Sequence, residues 1–272
     1  MRNSKTNELV LTGLFTAIII IMAFTPLGYI PLVVINATII HIPVILGSLF
    51  GGPKKGAFLG FVFGFTSCLK ATIVGGTLSS FVFSPVLAAS LVGTSGIFKS
   101  LFIAFVPRIL VGVIPYFVYI GIKKVLASEK KNLWGTVLNV LMSVFLAFGV
   151  YAFLGKMSES LSQAAALGIG IAVGAVVFIV VEAVFIRKST QVIPFVYAGV
   201  AGAMTNTLLV MGSIFVLYKD AYADAIGVAG NAVLGVITGV ISFNGVIEAI
   251  VAAIIVYLVG LVLNTIKPIA AK

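Results

Sequence analysis

A chain of 272 residues that is 61% hydrophobic and 9% charged, with a mean hydropathy of +1.27, has too little polar surface to cover a water-soluble domain. Its net charge of +10 comes from basic residues in short clusters between apolar segments, a pattern that sets membrane orientation and argues against nucleic acid as a partner. One cysteine, Cys68, and one histidine, His41, exclude an internal disulfide and leave no basis for a protein-built zinc or haem centre, so no metal and no cofactor is expected.

The first apolar run, Leu9 to Phe24, directly follows Arg2 and Lys5 and ends without a small-residue cleavage site, so it reads as a retained span and not as a signal peptide. A helix crosses a hydrocarbon core of roughly 30 Å in about 20 residues, which predicts eight spans, near 8–27, 36–51, 55–70, 99–122, 133–155, 164–186, 194–218 and 243–266. The fold class is all-α, a polytopic helix bundle in the cell membrane. With the N-terminus inside, twelve Lys and Arg residues fall in cytoplasmic segments and four, Lys70, Lys99, Lys156 and Lys219, fall outside, with Arg108 left within a span. That bias places both termini in the cytoplasm. Segments 71–98 and 221–242 are too apolar for solvated loops and are expected to fold back over the bundle, because irregular backbone at membrane depth needs protein or a water-filled cavity around it. Spans 133–155 and 164–186, bounded by basic clusters at Lys123 to Lys131 and at Arg187 and Lys188, read as a self-contained helical hairpin. No internal repeat of the kind that builds secondary carriers is evident.

Polar groups inside the spans mark candidate sites because they are costly there. On the first span Gly13 and Ala17 form a small face suited either to internal packing or to docking of a partner membrane subunit. The stretch Thr25 to Ser67 holds a Pro/Gly-broken loop, a short helix with Thr38, His41, Ile45 and Ser48 on one face and Asn36 at its outer end, and a charged turn, Gly51-Gly52-Pro53-Lys54-Lys55. A neutral imidazole donates from one nitrogen and accepts at the other, which fits a hydroxyl- or amide-bearing ligand and equally a neighbouring helix. Gly56, Gly60 and Gly64 recur every four residues and predict close packing of the third span. Arg108, within Val106-Pro107-Arg108-Ile109, needs an anion: either Glu248, which shares a face of the last span with Asn244, or the carboxylate of a substrate. Gly199, Gly202, Asn206, Val210 and Ser213 give the seventh span a small polar face, and Asn231 adds an amide from the apolar segment before the last span. One cation among neutral amides fits a small polar ligand better than an ion pathway. There is no GxxxxGK[ST] phosphate loop, no HExxH and no GxSxG, so the chain is not expected to be an enzyme.

Six blocks, TPLGYIPL, INATIIHIPVILGSLFGGPKKGAFLGFVFGFTS, SSFVFSPVL, FVPRILVG, AMTNTLLVMGSIF and AIGVAGNAVLGVITGVISFNGVIEAIVAAII, occur in an order that resembles the substrate-binding (S) components of energy-coupling factor (ECF) transporters, and most of all the pantothenate-specific members. The blocks cover most of residues 8–126 and 194–266. Members have six spans, so the resemblance implies a core of residues 1–132 and 189–272 with a transmembrane hairpin, 133–188, inserted between the fourth and fifth family helices. It further implies an ATP-driven vitamin importer in which this chain captures substrate and associates with a transmembrane coupling subunit and two ABC-type ATPases. Gly13 and Ala17 match the family's docking face on the first helix. Pantothenate carries a carboxylate, an amide and two hydroxyls. The implied assignment is Arg108 for the carboxylate, His41, Asn206, Asn231 and Asn244 for the amide and hydroxyls, and Phe83 and Tyr29 as apolar walls, with Asn36 on a loop that closes over the ligand. Two other readings compete: an S component for riboflavin, folate or a thiamine precursor, and an ion-coupled carrier working alone through Glu248 or Glu182. A scaffold role would leave the clustered Asn, His and Arg residues unexplained.

Overall fold

The structure, a computed structural model, describes residues 4–31, 36–75, 77–157, 161–183, 192–266 and 269. Arg2, Arg187, Lys188, Lys267 and Lys272, which helped to orient the chain, and loop positions 32–35 lie outside the described residues. The described chain is a helix bundle. Helix α1 (Ser4–Phe24) leads through a 3₁₀ turn (Pro26–Gly28) into a two-stranded antiparallel ribbon, β1 (Tyr29–Pro31) with β2 (Asn36–Thr38), in register Tyr29 to Thr38 and Pro31 to Asn36. Then follow α2 (His41–Gly51), α3 (Pro53–Ile73), a 3₁₀ turn (Ser80–Val82), α4 (Pro85–Val92), α5 (Thr94–Val111), α6 (Ile114–Leu126), α7 (Lys131–Met157), α8 (Gln163–Val181), α9 (Val192–Ile226), α10 (Val233–Val240), a π-helical turn (Ile241–Gly245) and α11 (Val246–Ile266).

Six stretches, Pro53–Ile73, Thr94–Leu126, Lys131–Gly155, Gln163–Val181, Val192–Ile226 and Val233–Ile266, are long and apolar enough to cross a membrane. The apolar runs Glu8–Phe24 and His41–Gly51 are shorter. The expected all-α polytopic membrane bundle is therefore the observed class, with the ribbon added at one end. That ribbon corrects the second predicted span: Asn36 to Thr38 are strand, and the helix begins only at His41. Pro43 explains the start, since a residue without an N–H is tolerated in the first turn of a helix and not in its interior. Thr38 is accordingly not on a helical face with His41, Ile45 and Ser48. The fourth predicted span divides at Gly112 and Val113, where Pro115 in the first turn of α6 again permits a fresh helix start. Helix α9 runs past the predicted end to Ile226 with a kink at Tyr218 (φ −134°, ψ 19°).

Glycines set how closely the helices approach. Gly56, Gly60 and Gly64 of α3 lie in antiparallel register against the backbone carbonyls of Gly112, Arg108 and Ala104, so that a Cβ on Gly64 would stand 2.5 Å from the Ala104 oxygen. The predicted close packing of this glycine face is thus met by the α5 backbone, and Ser48 Oγ of α2 donates to the Gly112 carbonyl at 2.5 Å. Helix α9 meets α11 at Gly199, where a Cβ would lie 2.7 Å from the Ala252 oxygen. Among the described residues two large apolar cores result, beside a small cluster of Leu126, Leu138 and Ile193. One joins Phe15 and Ile19 of α1, Val44, Ile45 and Leu49 of α2, Phe195 of α9 and Ala252 and Val256 of α11. The second, at the ribbon end, packs Phe81, Val82 and Ala88 against Ile103, Ile214 and Tyr218, with Val233 and Ile237 of α10. The apolar segments expected to fold back over the bundle supply much of this second core, and Tyr218 Oη donates to the Gly96 carbonyl at 2.7 Å.

The ribbon is held to the bundle by a carboxylate. The Thr38 N–H donates to Glu248 Oε1 at 2.7 Å, and Thr207 Oγ1 donates to Glu248 Oε2 at 3.0 Å, so one side chain of α11 joins β2 to α9. Glu248→Ala strands that buried N–H and is expected to destabilise the detergent-solubilised protein by about 1–3 kcal/mol, read as a lower thermal-unfolding midpoint, whereas Glu248→Gln keeps an acceptor and retains most of the midpoint. On the α3–α5 seam, Gly60→Leu is expected to lower the same midpoint, overpacking costing about 1–3 kcal/mol, while Gly121→Leu, which meets open space, leaves it at or above the wild-type value.

Candidate binding site

The α3–α5 seam aims Arg108. Because its carbonyl is pressed against Gly60, the side chain leaves α5 toward the ribbon end, where the guanidinium carbon lies 5.4 Å from the centre of the Phe63 ring and 4.6 Å from that of Phe83. Arg108 is 6% exposed, its Nη1 donates to the Ile103 carbonyl at 2.6 Å, and its Nε has no protein partner. Glu248 is not its ion-pair partner. Among the described residues the one salt bridge joins Lys55 to Glu8, at the other end of the bundle. The expected Arg108–Glu248 pair is therefore corrected: the Glu248 oxygens are taken by Thr38 and Thr207, and the two charges interact only through space. A buried cation whose charge is met by a carbonyl dipole and two aromatic faces retains capacity for an anion.

Close along the chain to the Thr38, Thr207 and Glu248 junction, three neutral side chains bury polar atoms that have no partner among the described residues. His41, at the start of α2, is fully buried with neither Nδ1 nor Nε2 hydrogen-bonded. Asn206 of α9 and Asn244 of the π-helical turn are buried, each with an unpartnered Oδ1. Their placement follows from local chemistry: Asn206 precedes Thr207, Asn244 is one turn before Glu248, and the Thr207–Glu248 hydrogen bond brings the two segments together. Since buried polar atoms are seldom left unpaired, these three residues, together with the unpartnered Nε of Arg108, mark a candidate binding site.

Tyr29 of β1 is half-buried under Lys70, whose Nζ lies 4.0 Å above its ring and donates to the Ala23 carbonyl at 2.9 Å. Phe83 borders the site beside Arg108. Asn231, by contrast, lies exposed on the turn before α10 and is not gathered into the buried cluster. Asn36 ends the ribbon, and its side chain lies outside what is described. Gly13 and Ala17 are exposed on α1, and a Cβ on Gly13 would touch nothing, which removes internal packing as their role. Glu182 is remote from the site, accepting from Thr136 Oγ1 at 2.6 Å and from Asn139 Nδ2 at 3.1 Å within the α7–α8 pair. Phe63, which stacks on Arg108, escaped the sequence reading. Its spacing three residues past Gly60 on the packed face of α3 was the available signal.

No protein-family model matches the chain. It is similar to the pantothenic acid transporter PanT of Lactococcus lactis subsp. cremoris, 42% identical over 161 residues that make up 55% of this chain and 78% of that shorter protein. It is also similar to the pantothenate transporter PanT of Leuconostoc mesenteroides subsp. mesenteroides, 27% identical over 277 aligned positions that cover 100% of this chain and 98% of that one. These relatives are transporters and not enzymes, and the chain belongs to the PanT transporter family.

Proposed function

We propose that this chain takes up pantothenate across the cell membrane, as the membrane-embedded capture subunit of an ATP-driven ECF importer. The observation that carries the reading is Arg108, a buried guanidinium with no ion-pair partner among the described residues, in a bundle that also buries unpaired polar atoms of His41, Asn206 and Asn244. Pantothenate presents one carboxylate for the cation and an amide and two hydroxyls for neutral donors and acceptors. Arg108 takes the carboxylate, the imidazole and the two amides take the amide and hydroxyls, and Phe83 and Tyr29 form apolar walls. Asn231 and Asn36 belong to the rim that closes over the bound molecule. The names of both relatives support the substrate.

The energising partners follow from the family resemblance of the sequence blocks. The exposed small face of α1 at Gly13 and Ala17, with Leu9, Val10 and Leu14 also open, supports docking to a transmembrane coupling subunit that is driven by two ATP-binding-cassette ATPases. Both termini lie in the cytoplasm, and the α7–α8 hairpin is an addition to a six-helix core. Glu248 is the observation that would favour an ion-coupled carrier, and its two hydrogen bonds to Thr38 and Thr207 give it a structural task instead.

Calorimetric titration of the purified chain in detergent is expected to show tight binding of one pantothenate and none of riboflavin, folate or thiamine. Folded protein that binds no pantothenate overturns the reading. Arg108→Ala should weaken binding by at least about a hundredfold, as removal of one member of a buried charge pair costs about 3–5 kcal/mol, with Arg108→Lys intermediate. Asn206→Ala and Asn244→Ala should each weaken it about three- to tenfold. For the docking face, Gly13→Trp is expected to abolish uptake in cells that carry the coupling subunit and ATPases while leaving the affinity of the isolated chain unchanged. Uptake that persists with Gly13→Trp removes that surface from the mechanism.

A further inference from the structure

The π-helical turn Ile241–Gly245 is held from two sides. Toward the bundle, Gly245 lies against Thr207, where a Cβ would stand 2.9 Å from Thr207 Cγ2. Toward α7, the Phe243 ring stacks on Phe153 with centroids 5.2 Å apart and planes 1° from parallel, and Val246 presses on Gly149 so closely that no side chain fits there. Farther along, α10 stands off from α7 across a cavity of about 520 Å³ lined by Phe148, Gly155, Gly235, Thr238 and Ser242 among others. The grip of α7 on this part of the chain is therefore concentrated on Phe243 and Val246, the residues that flank Asn244 and Gly245.

A π-turn carries one residue more than the α-helix it interrupts and persists only where tertiary contacts hold it. Its loss would change the direction in which Asn244 projects relative to Glu248. Glu248 is itself pinned by Thr38 and Thr207, so the π-turn sets where the Asn244 amide stands relative to the rest of the site.

We infer that Phe153 and Gly149 of the α7–α8 hairpin are positioning residues for Asn244, so that the hairpin sets substrate affinity without touching substrate. This rests on the binding-site reading above. The test is calorimetric titration of the purified full-length chain with pantothenate, alongside thermal unfolding. Phe153→Ala is expected to weaken binding by no more than Asn244→Ala, about three- to tenfold, the ring stack being lost, and Phe153→Tyr to restore wild-type affinity. Gly149→Ala, which displaces Val246, should weaken binding in the same direction. The double variant Phe153→Ala, Asn244→Ala should bind no more weakly than Asn244→Ala alone, because both act through one amide. As a control, Tyr197→Phe removes the tether from Tyr197 Oη to the Leu138 carbonyl at the other end of α7 and should lower the unfolding midpoint with affinity unchanged.

Wild-type affinity in Phe153→Ala, or additive losses in the double variant, overturns the inference while leaving the site reading intact. Asn244→Ala with unchanged affinity overturns both. If Phe153→Ala does not fold, Phe153→Leu, which keeps bulk but not the ring stack, carries the same expectation and the same refutation.

Discussion

A backbone N–H that would otherwise be buried without a partner has to be satisfied, and in this protein Glu248 does so for Thr38. The consequence spreads in two directions. The same carboxylate receives the Thr207 hydroxyl, so the ribbon, α9 and α11 meet at one side chain and the ribbon end of the bundle has a defined shape. It also leaves Arg108 without an ion-pair contact among the described residues. A strong acceptor engaged by neutral donors keeps its place in the fold, and the cation nearby keeps its capacity for an external anion.

Arg108 owes its position to a different device. Antiparallel register between the glycines of α3 and the carbonyls of α5 brings the two backbones into contact, and bulkier residues on α3 would push α5 away and carry the guanidinium off Phe63 and Phe83. In such surroundings, of low dielectric and with few competing dipoles, attraction between a cation and a carboxylate is far stronger than in water. In the proposed site, the neutral residues His41, Asn206 and Asn244 would discriminate by hydrogen-bond pattern and not by charge, which suits a ligand with one acid group and several uncharged polar ones.

The α7–α8 hairpin has its own internal order. Gly170 and Gly174 let the two helices close on each other, and Thr136, Asn139 and Glu182 form a polar cluster between them. Its contacts with the rest of the chain include Tyr197 to the Leu138 carbonyl, Leu138 against Leu126 and Ile193, Phe145 against the main core, Gly149 to Val246, and Phe153 to Phe243. Through the last two the hairpin reaches the segment that carries Asn244, which links this pair of helices to the proposed site.

Much of this architecture was legible along the chain. Hydropathy of the apolar runs determined a helical membrane bundle, because a span must satisfy its own backbone within a single segment. Four-residue spacing of Gly56, Gly60 and Gly64 determined a close helix contact, because residues four apart share a face. Arg108 stood out as a charge inside a span, and its need for an anion followed from burial alone. What only the tertiary structure decided was which groups meet. The ribbon was hidden because β2 continues directly into an apolar helix, and its pairing with β1 leaves little trace in hydropathy. The partner of Glu248 was misassigned because Thr38 donates through its backbone N–H, which every residue but proline possesses and which no side-chain pattern advertises. The π-turn that sets Asn244 is likewise invisible in composition, since it persists through contacts with Phe153 and Thr207 from helices distant in sequence. Periodicity reports the face a residue occupies, and only packing reports what faces it.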